Sequence, residues 1–169
     1  MGILENLLAR VRTFENGLQT GSVIRDALQP FGSDILEAQR VQLLEGKNSG
    51  GEDIRPYYSE DLKPQGYFHS AQSAGRYAAW KQDLSYPYSV KRNPDAPNLY
   101  ITGRFHSELE VQFNSDSLGI VATTTWSAAI VAKYGADTFG LCFDKWQEIW
   151  EGGAYLLLLN NIQTLLFNG

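Results

Sequence analysis

Hydrophobic positions recur at helical spacing over the first third of the chain. Ile3, Leu4, Leu7, Leu8, Val11 and Phe14 lie three and four residues apart and predict an amphipathic helix that Gly17 stops. Ser22 then caps a short helix carrying Val23, Ile24, Ala27 and Leu28, which must end before Pro30 because the residue ahead of a proline is pushed out of helical geometry. Ser33 caps a third helix with Ile35, Leu36, Leu43 and Leu44 as its stripe and Gly46 at its end. The period changes at Phe105. From there to Phe113 the odd positions read Phe, Ser, Leu, Val, Phe and the even ones His106, Glu108, Glu110 and Gln112, the alternation of a strand with one face buried. Asn114 to Ser117 supplies turn residues, and Leu118 to Thr124 runs back as the partner strand.

Between these parts, residues 47–65 form a long loop by composition, with Asn-Ser-Gly-Gly, acidic pairs, and Pro56 and Pro64 around Tyr57 and Tyr58. A loop of that length points to a function or an interface. Ser70 to Gln82 reads as a helix, and Pro87, Pro94 and Pro97 hold an extended approach to the hairpin. After it come a helix begun by Thr125 and closed by Gly135, a segment from Asp144 to Glu151, a break at Gly152-Gly153, and an apolar helix from Ala154 to Phe167. The expected fold is α+β: N-terminal helices packed on a small antiparallel sheet built around a 105–124 hairpin, with C-terminal helices. At 169 residues a single domain is expected, made of helices 1–45, a loop 46–66, sheet and helices 67–141, and C-terminal helices 142–169.

The charge of −5 argues against a duplex-binding surface, which would need clustered Lys and Arg. Arg76, Lys81, Lys91, Arg92 and Arg104 do gather in the middle of the chain, opposed by Asp83 and Asp95, and read as solvated charge. Cys142 is the lone cysteine, so an internal disulfide and a thiolate zinc site are both excluded, and its apolar neighbours give it a packing role. The start of the chain lacks the pattern of a secretory leader, Asn6 fails the myristoylation signal, and no run is long enough for a membrane span, so an intracellular protein is expected.

No catalytic set is visible. His69 lies beside a helix start, and His106 shares the polar strand face with Glu108 without a spacing that makes an acid–base pair. Glu52-Asp53 and Glu60-Asp61 lack calcium-loop spacing, and Thr102-Gly103-Arg104 lacks the further glycines and the Lys of a phosphate loop. No catalytic residue, metal site or cofactor is therefore assigned.

Three stretches carry a resemblance. Gln42-Leu-Leu-Glu-Gly46, then Asn48-Ser-Gly-Gly-Glu52, Tyr58-Ser59 and Lys63, together with Leu99-Tyr-Ile-Thr102-Gly103-Arg-Phe105 and Lys133-Tyr134-Gly135, resemble in order and spacing the motifs of tailed-bacteriophage virion-morphogenesis proteins. These are tail-completion and head–tail joining (neck) proteins. Two features depart from the pattern: the connection 66–98 is longer, and the apolar helix after Gly153 is additional. The resemblance implies a non-enzymatic subunit of a homo-oligomeric ring, located in the virion and in the host cytoplasm during assembly. Other head–tail proteins would be its partners, and DNA would pass through the lumen without specific binding. Tyr57, Tyr58, Leu156 and Leu157 are the interface candidates, and Gly46, Thr102, Gly103, Phe105, Tyr134 and Gly135 the motif residues. Two rival expectations are a small enzyme with a pocket near Tyr57, Tyr58 and His69, and an adaptor using Trp146 and Trp150.

Overall fold

The computed structural model describes residues 3–114 and 117–168. Ser115 and Asp116 of the expected turn, and Met1 and Gly2, lie outside the described residues. Eight α-helices and one hairpin are found among those described: α1 (Ile3–Gln19), α2 (Ser22–Leu28), α3 (Gly32–Leu44), α4 (Ala71–Gln82), α5 (Arg104–Ser107), β1 (Leu109–Phe113), β2 (Leu118–Ala122), α6 (Ser127–Tyr134), α7 (Phe143–Ile149) and α8 (Tyr155–Gln163). The fold is α+β, with one two-stranded sheet among the described residues. The chain divides into two compact units, one of residues 1–35, 111–119 and 144–169, the other of residues 36–110 and 120–143.

In the first unit α2 packs against α1 and α8. Gly17 does not stop α1, which continues to Gln19. A Cβ at Gly17 would lie 2.5 Å from Val23 Cγ2, so the glycine allows the two helices to approach. Pro30 sits in a 3₁₀ turn, Gln29–Phe31, that separates α2 from α3. At the other end, Gly153 takes φ 136° inside a π-helical turn, Trp150–Ala154, and bends the path from α7 into α8. From Ala154 to Phe167 the buried or half-buried positions are Ala154, Leu157, Leu158, Asn161, Ile162, Leu165 and Leu166, and Tyr155, Leu156 and Leu159 are exposed. Leu157, an interface candidate, thus belongs to the docked face, whereas its neighbour Leu156 is exposed.

The second unit rests on two apolar clusters. Leu43, Ile54, Phe105 and Leu109 form one, and Tyr58, Phe68, Ala74 and Ala78 the other. Helix α3 ends as expected at Gly46, whose φ of 74° lets Lys47 N donate to Gln42 O and Gly46 N to Leu43 O, both at 3.0 Å, a paired closure that satisfies the last carbonyls. Ser70 caps α4 reciprocally with Ser73.

The alternation holds from Leu109, with Leu109 buried, Val111 and Phe113 half-buried, and Glu110 and Gln112 exposed. It does not extend back to Phe105. Residues 104–107 make a helical turn opened by Gly103 at φ 80° and closed by Ser107 N donating to Gly103 O at 2.9 Å. In a helical turn successive side chains are about 100° apart rather than on opposite faces as in a strand, so Phe105 and His106 are both buried, and His106 shares no strand face with Glu108.

Candidate functional site

The second unit holds a cavity of about 460 Å³ that gathers residues distant in sequence. Its lining includes Tyr58 from the loop, Tyr77 and Lys81 from α4, Leu99 to Phe105, and Trp126, Ile130 and Tyr134 from the α6 region. Four motif residues, Thr102, Gly103, Phe105 and Tyr134, therefore meet in one place, together with the interface candidate Tyr58. Gly46 and Gly135 serve elsewhere as helix-ending glycines at φ 74° and 92°. The wall is strained at Leu99, whose φ of 52° is the one positive value outside glycine among the described residues.

The aromatic side chains are held edge to face. Tyr58 meets Tyr77 with ring centroids 5.0 Å apart and Phe68 at 6.0 Å. Burial raises the phenols of Tyr58 and Tyr77, and pushes that of Tyr134 up to about 12, so all three are neutral hydroxyls at physiological pH. Arg104 stacks on Trp126, its guanidinium carbon 5.2 Å from the ring centroid, while its Nε donates to Glu108 Oε1 at 2.8 Å.

Tyr58 corrects an expectation: at 6% exposure it belongs to the core and offers no surface to a partner. The loop carries it inward because Tyr58 N donates to Asp95 O at 3.0 Å and Ser59 N to Asp95 Oδ1 at 3.0 Å. Tyr57 is half-buried, donating its hydroxyl to Asp53 Oδ2 at 2.8 Å. Burial works against the Asp53 carboxylate, but bonds from Lys47, Asn93 and Tyr57 outweigh it and hold its pKa at about 2. His69 does not line the cavity; it is exposed, 3.3 Å from Lys63 Nζ. Leu156 and Leu157 lie on α8, in the first unit. Trp146 and Trp150 are half-buried.

Sequence reasoning missed Lys81. Its sequence context reads as solvated charge, yet it is 1% exposed, its Nζ donating to the carbonyl of Tyr100. Burial, with Arg92 nearby, lowers its pKa to about 7. His106 was missed likewise. It is 4% exposed, its Nε2 is 3.1 Å from Asn98 O, its Nδ1 is unpartnered, and burial lowers its pKa to about 4. The helical spacing Ala74, Tyr77, Lys81 was the available signal, since it places the lysine on the apolar side of α4.

The other motif residues are structural. Gln42 Oε1 accepts from Cys142 N and its Nε2 donates to Gly140 O, both at 2.8 Å, while Gln39 accepts from Gly140 N at 2.8 Å. Asn48 Oδ1 accepts from Gly50 N and Glu52 N, and its Nδ2 donates to Asp137 Oδ2 at 2.8 Å. Among the described residues, no group of His, Cys, Asp and Glu is arranged to hold a metal ion, and no helix is long and apolar enough to cross a membrane. Compared with known proteins, the chain matches no family model, no curated protein and no solved structure.

Proposed function

We propose that the chain is a non-enzymatic structural subunit of a tailed-bacteriophage virion, forming a homo-oligomeric ring at the head–tail junction or the tail end. One observation carries the reading beyond the motif resemblance. In the first unit Leu7, Leu8 and Leu18 on α1, and Tyr155, Leu156, Leu159 and Phe167 on and after α8, are exposed. A monomer seldom shows so many large apolar side chains on two helices, whereas a subunit with lateral neighbours covers them. The net charge of −5 suits a lumen through which DNA slides without sticking.

The ring would lie in the virion, assembled in the host cytoplasm against other head–tail proteins. Native mass spectrometry and negative-stain imaging of the full chain test the proposal. A closed ring whose mass is a whole multiple of the 18.9 kDa subunit is expected. A protein that stays monomeric at high concentration overturns it.

A further inference from the structure

Lys81 is buried with no counter-ion beside it among the described residues. Among the described residues its ammonium donates to one backbone carbonyl, that of Tyr100, and the charged side chain nearest in influence is Arg92, which repels it. Desolvating a charge is costly unless an opposite charge completes it, and this fold supplies none. Lys81 nevertheless lines the cavity of about 460 Å³, which falls within the size range of small-molecule sites. None of the described residues lining that cavity is a carboxylate. Arg104, the other cation there, already has Glu108 as its partner. Apart from Thr102 and Gly103 the remaining wall is aromatic or aliphatic, and one part of it, Leu99, is held at a φ that leucine rarely adopts. A lone ammonium matches a single negative charge better than a phosphate dianion, which needs several donors.

We propose that this cavity is a binding site for a small monocarboxylate bearing an aromatic or branched aliphatic group, its carboxylate at Lys81 and its apolar end among Tyr58, Phe105, Ile130 and Tyr134. The site lies wholly within the second unit, so binding does not depend on ring assembly.

The proposal predicts a proton linkage. The anion pairs with the protonated amine, so binding draws a proton onto Lys81 and weakens as pH rises above about 7. The groups around Lys81 leave that profile clean. Besides the guanidinium groups of Arg92 and Arg104, His106 stays neutral because burial lowers its pKa to about 4, and burial holds Tyr58, Tyr77 and Tyr134 protonated. Tyr86, whose hydroxyl donates to the backbone carbonyl of Lys81, and Tyr100, whose carbonyl accepts from Lys81 Nζ, also face Lys81.

Titration calorimetry on the full chain would compare phenylbutyrate with its uncharged amide, near neutrality and at about two pH units higher. Near neutrality the carboxylate is expected to bind at least about tenfold tighter than the amide, and to lose about tenfold in affinity per pH unit above 7. In Lys81→Met, which keeps the volume of the stem, the two probes should bind alike. Equal binding to the wild type, no saturable binding at millimolar probe, or a carboxylate preference that survives Lys81→Met overturns the proposal. If Lys81→Met fails to fold, the wild-type pH profile decides alone: a flat profile overturns the site.

Discussion

The buried polar and charged side chains, Gln39, Gln42, Asp61, Lys81, Asn98, His106, Thr124 and Thr138, all belong to the second unit, whereas the first unit holds its contrast in the exposed leucines of α1 and α8. The buried polar groups are confined to the second unit and the exposed leucines to the first; the second unit's exposed apolar side chains are mostly aromatic, Tyr67, Trp80, Tyr88, Trp126 and Phe143. The difference follows from backbone regularity. Helices α1, α2 and α8 satisfy their own peptide groups, so their side chains are free to be apolar on more than one face. The second unit is largely irregular from residue 45 to 103, and irregular peptide groups that are buried require partners from side chains. Gln39 and Gln42 meet that need by offering amide groups to the 138–142 segment as a neighbouring strand would.

The largest effect that would sharpen this contrast is expected at Gln42. Replacing it by Leu keeps an apolar contact with the core but orphans Cys142 N and Gly140 O. Each buried group left unsatisfied costs about 1–3 kcal/mol, so Gln42→Leu should lose several kcal/mol. Urea unfolding measures it. A loss within about 0.5 kcal/mol, the range of ordinary surface substitutions, would mean that water serves these peptides as well as the glutamine does.

A second test uses protons. Lys81 has a folded pKa of about 7 against an ordinary value of 10.5, and His106 about 4 against 6.5. Between each pair of values the unfolded chain holds a proton that the fold has released, so stability rises with pH across both windows. It falls as pH drops from 6.5 toward 4, and it climbs from 7 toward 10, by at most about 1.4 kcal/mol per pH unit for each group. Above about pH 10 the raised phenols of Tyr58 and Tyr134 reverse the trend, because the unfolded chain ionises first. Denaturant midpoints that increase from neutral to pH 9, and lose that increase in Lys81→Met, are expected. A midpoint independent of pH there would show Lys81 to be solvated.

The same contrast explains what was legible in the chain. Periodic segments were readable: α1, α3, α4, α8 and the hairpin from Leu109 onward occupy the places that apolar spacing predicts. The α+β class followed from them. Irregular segments were not readable, because their geometry depends on contacts distant in sequence. Residues 104–107 imitate a strand in pattern, yet Gly103 at φ 80° starts a helical turn and places His106 inside. Tyr58 looked like a surface anchor until Asp95, far along the chain, accepts from its neighbouring peptide. The cavity was only half legible: Thr102, Gly103, Phe105 and Tyr134 stood out as motif positions, but the one signal for Lys81 was its helical spacing from Ala74 and Tyr77, which does not show that neighbours from other elements cover it. Burial of a charge is a property of the neighbours, not of the residue.

The smallest effect on folding, and the one that tests the first unit's exposed face, concerns two adjacent leucines of α8. Leu157 is half-buried on the side that docks in its own unit, and Leu156 is 65% exposed. Full burial of a leucine is worth about 1.5–3 kcal/mol, so a half-buried one replaced by Gln should lose about 1 kcal/mol. Leu156→Gln removes little that the isolated subunit uses, and its stability should stay within about 0.5 kcal/mol of the wild type. Assembly should respond in the opposite order. If a neighbouring subunit covers the exposed face, Leu156→Gln places an amide in an apolar contact and lowers the fraction of ring at a given concentration, while Leu157→Gln affects assembly only through its loss of fold. Thermal melting paired with native mass on both variants separates the two roles. Should Leu156→Gln assemble as the wild type does, α8 is not the lateral surface, and the exposed leucines of α1 would have to supply it.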